Sequence, residues 1–247
     1  MRIRHIKGAE EYIEKSPFVI NHPQAFCGNW KQEAFGNTNP LYLEVGMGMG
    51  QFIRTHASLN PDINYIGFEI NSTVLYKSVR RYIDLSAAPG GAAAMQKPLH
   101  RTEAVSAEPD SELVQALYRT SNLRFIRQDA RFLAEDFAAG EVDRIYLNFS
   151  DPWPKDKNAN KRLTSPIFLR LYDKILKPDG VIEFKTDNEG LFEYSLEAIP
   201  AAGWRLRSLT RDLHNDAELC RGNVMTEYEA KFSQKGNRIF KLVAERD

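Results

Sequence analysis

The sequence predicts an α/β fold on a mostly parallel, seven-stranded sheet flanked by helices. Three observations carry this: strand-like and helix-like stretches alternate, a glycine loop follows the first strand, and acids recur where strands end. Alternation of this kind lays helices over the faces of a parallel sheet. Ligands of such sheets bind outside the carboxyl ends of the strands.

"LYLEVGMGMGQFI", Leu41 to Ile53, begins as a strand and turns into the glycine loop. Helical spacing then continues through His56 and stops at Asn60-Pro61. "INYIGFEI", Ile63 to Ile70, is rich in β-branched and aromatic residues and reads as the second strand. Asn71 or Ser72 can cap the next helix, which runs to about Leu85. Asn122 to Ala130 is the third strand and Val142 to Ser150 the fourth. Ser165 to Lys177 reads as a helix with Ser165 at its cap and Pro166 in its first turn. Lys177-Pro178-Asp179-Gly180 reads as a turn before a fifth strand, Val181 to Thr186. A helix ending near Gly203 follows, then two closing strands, "WRLRSLTRDL" and "RIFKLVAER". Residues 86–109, rich in Ala, Pro and Gly, interrupt the rhythm and read as a flexible insertion.

The chain has 247 residues, enough for one large domain with a sizeable core. No apolar run approaches the roughly 18–20 residues of a membrane helix, and "MRIRHIKGAEEYIEK" lacks a signal-peptide core. A cytoplasmic protein without a membrane partner is expected. Cys27 and Cys220 form no metal-binding pattern, and both are expected to be reduced. Thirty-three basic residues balance thirty-three acidic ones, which alone argues mildly against nucleic-acid binding. Local fields differ: Lys155, Lys157, Lys161, Arg162, Arg170 and Lys174 face only Asp156 and Asp173 over the same span. Solvated surface is the ordinary reading of such a run.

The glycine loop carries Gly46, Gly48 and Gly50 directly after Glu44. Glycines permit a tight turn and close approach of a ligand to the backbone. The G-x-G-x-G spacing departs from the dinucleotide fingerprint, and a carboxylate at Glu44 opposes a pyrophosphate but welcomes a cation. A structural turn is the alternative. Glu69 closes the second strand, where an acid can accept from both ribose hydroxyls of an adenosine. Asp129 closes the third, where it can accept from an adenine amine while the Ala130 N–H serves a ring nitrogen. Together the three describe a cradle for adenosine with a cationic tail. Asp151-Pro152-Trp153 follows the fourth strand. There the prolines stiffen the chain, the tryptophan offers a stacking face, and the acid can accept from a base N–H edge. A tryptophan plugging the core is the alternative.

Together "LEVGMGMGQF", "YIGFE", "YLNFSDPWPK", "FKTDN" and "MTEYEAKF" resemble the tRNA (guanine-N7-)-methyltransferase family in its single-chain bacterial form. The likeness spans nearly the whole chain outside the insertion. It implies a Rossmann-like class I methyltransferase domain over residues 1–247, with an N-terminal extension to about residue 38. It also implies S-adenosylmethionine as cofactor, S-adenosylhomocysteine as product, no metal, and N7 of a guanosine in the tRNA variable loop as acceptor. The family's cofactor residues fall on Glu44, Gly46, Gly48, Gly50, Glu69, Asp129, Ala130 and Asp151, with Asp151 catalytic. Its substrate-side residues fall on Lys155, Asp187, Thr226, Tyr228 and Glu229. A monomer or homodimer is compatible with the resemblance. "DKNANKR" departs from the family, placing Asp156, Asn158 and Asn160 where more basic residues and a histidine are usual. "NFSDPWP" also loosely resembles the motif of enzymes that methylate exocyclic amines, so an N6-adenine-type nucleic-acid methyltransferase is the alternative function.

Overall fold

The computed structural model describes residues 5–88, 95 and 108–246. The strands are β1 (Leu41–Val45), β2 (Asn64–Phe68), β3 (Leu123–Ile126), β4 (Val142–Asn148), β5 (Leu176–Thr186), β6 (Trp204–Thr210) and β7 (Phe240–Arg246). They form one sheet in the order β3-β2-β1-β4-β5-β7-β6. The first five in that row are parallel, and β7 runs antiparallel between β5 and β6. The mostly parallel seven-stranded sheet is thus present.

Strand alternation divides the core in two. Leu41, Leu43, Val45, Ile145, Leu147, Ile182 and Phe184 face one apolar cluster. Tyr42, Tyr65 and Tyr146 face the other. The first cluster is covered by α2 (Trp30–Glu33), α6 (Leu133–Asp136), α7 (Pro166–Ile175) and α8 (Glu189–Ala201). The second is covered by α1 (Ala9–Lys15), α3 (Gln51–Leu59), α4 (Ser72–Ala87) and α5 (Glu112–Thr120). Each fully buried aliphatic or aromatic side chain contributes about 1.5–3 kcal/mol of transfer free energy. No helix among the described residues is long and apolar enough to cross a membrane.

Side-chain caps fix where helices begin. Asn71 Oδ1 accepts from the Val74 N–H at 3.1 Å and starts α4. Asn188 Oδ1 does the same for α8 with the Leu191 N–H at 2.8 Å. Ser165 differs from expectation: it occupies the cap position of α7 but makes no side-chain cap bond. Its hydroxyl donates instead to the Asn160 carbonyl at 3.2 Å. The expected turn at residues 177–180 lies within β5: partners jump from Leu176 opposite Val142 to Val181 opposite Arg144. Helices α1 and α5 were not foreseen. The segment after α1 also lies beside β3, with Ile20 N–H donating to Phe125 O and Phe125 N–H to Phe18 O, both at 2.8 Å. It thereby covers an otherwise open sheet edge. The expected insertion falls largely outside the described residues.

Gly50 caps α3 at φ 70°, a left-handed conformation that favours glycine. A Cβ there would lie 2.3 Å from Ser78 Oγ, in a buried α4 residue. Gly50→Ala should therefore cost about 1–3 kcal/mol. Thermal denaturation should show the midpoint falling by about 2–4 °C for each kcal/mol in a chain of this size. An unchanged midpoint would refute the steric argument.

Candidate active site

At the end of β1 the chain turns through Gly46, Gly48 and Gly50, with φ of 77°, 57° and 70°. The Gly46 and Met47 N–H groups both donate to the Phe68 carbonyl, at 3.0 and 2.9 Å, which ties the loop to the end of β2. Glu69 then clamps loop and helix together. Its Oε2 accepts from the Gly48 N–H at 3.1 Å and its Oε1 from the Asn71 N–H at 2.8 Å. Burial raises the Glu69 pKa, these backbone donors pull it down, and the nearby Asp151 charge adds a further upward push.

Above these strand ends opens a cleft of about 680 Å³, lined by Gly46, Glu69, Asp129, Ala130, Asp151 and Trp153 among others. Its volume suits a small-molecule ligand, for which roughly 300–1,000 Å³ is usual. Val45, Phe68 and Phe168 supply apolar lining. Asp129 caps a short 3₁₀ turn, accepting from the Arg131 N–H at 2.9 Å. The Arg131 guanidinium donates to both its oxygens, at 3.0 and 2.8 Å, and holds its pKa below the ordinary value. A carboxylate has about four lone-pair sites, so Asp129 retains capacity for another donor. Ser150 Oγ is buried at the cleft without a hydrogen-bond partner among the described residues.

Asp151 is exposed to the cleft between two unusual neighbours. Phe149 and Trp153 have φ of 51° and 42°, a region costly for residues with a Cβ. Trp153 lines the cleft and does not plug the core. Arg162 secures this loop: its Nε donates to the Pro152 carbonyl at 3.1 Å and its Nη2 to the Trp153 carbonyl at 3.0 Å. Its guanidinium lies 4.2 Å from the centroid of the Tyr194 ring. Arg162 was read only as one charge in a basic run, and backbone acceptors leave no trace in a sequence that could have identified it.

Glu44 is the exception among the expected acids. Leu41, Leu43 and Val45 face the cleft side of the sheet, so Glu44 points to the opposite face. It is 1% exposed and does not line the cleft. Asn148 Nδ2 donates to its Oε1 at 2.9 Å, while the Ile53 backbone is the other hydrogen-bonding group that lowers the Glu44 pKa. Burial pushes its pKa up to about 8, against the pull of Asn148 and of the Lys185 charge. Asn148 and Lys185 were both missed in the sequence, although they lie on the same sheet face as Glu44.

Through α9 (Glu227–Ser233), the C-terminal residues pack behind Phe149 of the cleft lining. Thr226 caps it, with Oγ1 accepting from the Glu229 N–H at 2.9 Å. Tyr228 is 41% exposed and not a core residue. Its ring lies 5.0 Å from that of Phe149 and 4.1 Å from that of Phe232. Asp187 Oδ2 accepts from Tyr228 Oη at 3.3 Å and from Asn237 Nδ2 at 2.9 Å. Glu229, expected on the substrate side, is fully buried. Its carboxylate accepts from Lys185 Nζ at 2.6 Å and Asn223 Nδ2 at 2.7 Å, and pairs with His214 Nε2 at 3.0 Å. It anchors α9 to β5. Lys155 is exposed and is not among the residues lining the cleft.

The family model described as "Putative methyltransferase" matches residues 38–242. A tRNA (guanine-N(7)-)-methyltransferase of Lachnoclostridium phytofermentans is 45% identical over 247 residues, covering 100% of this chain and 99% of that protein. The chain belongs to the tRNA (guanine-N7-)-methyltransferase family. The enzyme of that name from Bacillus cytotoxicus is 44% identical over 246 residues, 99% of this chain and 96% of its own. Two solved structures share the fold at 14% identity, each covering 87% of this chain and 92% of its own. They are an antibiotic-related methyltransferase, with a TM-score of 0.56, and the 16S rRNA methyltransferase KamB, with 0.55. The sheet is therefore that of a Rossmann-like class I methyltransferase.

The buried Glu44 gives this methyltransferase a testable pH dependence. Its ordinary pKa is 4.5 and its folded value about 8. Between these values the folded chain keeps a proton that the unfolded chain has released. Glu44 therefore makes stability fall as pH rises from about 5 to about 8, with little further loss above. Glu44→Gln stays neutral throughout and should remove that fall. Urea midpoints should show the variant gaining on the parent as pH rises across this window. Parallel profiles would refute the assignment.

Proposed function

We propose that this chain methylates N7 of a guanosine in tRNA, in the variable loop, using S-adenosylmethionine as methyl donor. The observation that carries the reading is the convergence of Glu69, Asp129 and Asp151 on one cleft with Trp153 at its rim. The residues fit the cofactor. Glu69 stands where an acid accepts from ribose hydroxyls, Asp129 and Ala130 where an adenine edge is read, and Ser150 Oγ offers an unused polar atom. The cofactor supplies an electrophilic methyl group on a positively charged sulfur. Gly46 lets a ligand approach the turning backbone closely, and Glu44 is buried behind that loop.

Guanine N7 carries a lone pair and no proton, so no general base is required. The protein's task is to align the acceptor nitrogen with the methyl group, and fixed orientation lowers a barrier substantially. Asp151 accepts from the N1–H or amine edge of guanine and places a negative charge beside a purine that becomes cationic. Trp153 and Phe149 supply ring faces at the mouth. Asp187 holds Tyr228 and Asn237, and so sets the C-terminal wall of the base pocket. Lys155 is free to meet a phosphate or the guanine O6 from outside the cleft.

Purified protein, labelled S-adenosylmethionine and bulk unmodified tRNA test this directly. Digestion should yield N7-methylguanosine, whereas N6-methyladenosine would establish the exocyclic-amine alternative. Asp151→Asn should lower kcat by about 10²–10³-fold, the scale of losing one electrostatic stabiliser, with an unchanged melting temperature. Full activity in that variant would defeat the charge argument. Glu69→Ala should raise the cofactor KM by about tenfold or more, consistent with loss of a charge-assisted hydrogen bond. An unchanged cofactor KM would remove Glu69 from the ribose site.

A further inference from the structure

A base that enters a cleft edge-first leaves the phosphates before and after it at the rim, one toward each wall. Two of the cleft's aromatic residues, Trp153 and Phe149, lead to a ring with lysine against it. On one side Lys161 Nζ lies 4.7 Å from the centroid of Trp153, which lines the cleft. On the other, the rings of Phe149, Tyr228 and Phe232 stack outward from the cleft at centroid spacings of 5.0 and 4.1 Å. Lys231 Nζ and Lys235 Nζ lie 5.5 and 5.0 Å from the outermost ring.

We propose that Lys231 and Lys235 form a phosphate-binding rim on α9 and its following turn, which engages the RNA strand flanking the target guanosine. This deepens the function proposed above and rests on it. Both lysines are exposed, and neither pairs with a carboxylate among the described residues. From 230 to 240 the chain carries Lys231, Lys235 and Arg238 and no acid. Net charge of zero hides this concentration. The aromatic stack gives the rim a fixed position, because a lysine held against a ring loses less freedom on binding a phosphate. Two further links hold the rim in register with the cleft. Asn237 Nδ2 donates to Asp187 at 2.9 Å, and the Asn237 N–H donates to the Phe232 carbonyl at 3.1 Å.

The test is equilibrium binding of an unmodified tRNA transcript over a salt series, measured for the parent chain and for K231A/K235A. Affinity should fall about tenfold in the variant. The slope of log affinity against log salt should flatten by roughly 1.4–1.8, as expected for two lost phosphate contacts. Affinity for S-adenosylmethionine should not change, and K231R/K235R should keep both affinity and slope. An Ala variant with the parent's affinity and slope overturns the proposal. So does an Arg variant that fails as the Ala variant does, since the lysines would then act by packing on Phe232. A parent chain that shows this salt-dependent binding but forms no N7-methylguanosine would sink the proposed function and leave the rim standing.

Discussion

Parallel pairing of β3, β2, β1 and β4 is the constraint on which the site depends. Val45 pairs with Phe68, and Phe68 with Ile126, so three strands end level. Glu69 is the next residue after β2, and Asp129 and Asp151 each lie three residues beyond their strands. Residues distant in sequence therefore reach one edge without any long loop to carry them. The glycine turn makes that edge usable. Its N–H groups fold back on the Phe68 carbonyl and on Glu69, leaving the space over Val45 and Phe68 open.

Gathering carboxylates in one place carries an electrostatic cost, and the structure handles each differently. Glu69 is stabilised as an anion by two backbone donors, yet burial and Asp151 still push its pKa upward. Asp129 is neutralised by the fork of Arg131. Glu44 is removed to the far face of β1, where burial favours its protonated form. A cation in the cleft would relieve the repulsion that Glu69 and Asp151 exert on each other.

Much of this arrangement was legible in the residues, and the gaps have physical causes. Strands rich in β-branched, aromatic and aliphatic residues, such as those at Leu41 and Val181, announced themselves, as did the helix start at Asn71 or Ser72. Short helices such as α1 and α9 carry too few turns for periodicity to stand out. Glu44's direction was available from strand alternation, since its neighbours Leu43 and Val45 are the apolar partners of one face. The pairing of Lys185 with Glu229 joins residues far apart in the chain, and nothing local marks it. Glu229 sits in a motif that suggested substrate contact, and its buried carboxylate secures the helix that carries Tyr228.

The loop around Asp151 shows why such anchoring matters. Phe149 and Trp153 each hold a left-handed backbone conformation, costing on the order of 1–3 kcal/mol apiece. Such strain persists only where surrounding bonds over-determine the backbone. Here the Phe149 N–H donates to the Lys185 carbonyl at 2.8 Å, and its ring packs on Tyr228. At the other end Arg162 grips the Pro152 and Trp153 carbonyls. Asp151 is therefore fixed from both sides, by β5 and α9 before it and by Arg162 after it. An acceptor nitrogen without a proton gives an enzyme no proton transfer to assist, so its leverage lies in geometry and charge. In the role proposed for Asp151, a carboxylate on a loop pinned at both ends would supply both, and the strain would follow from placing it where a relaxed strand exit does not.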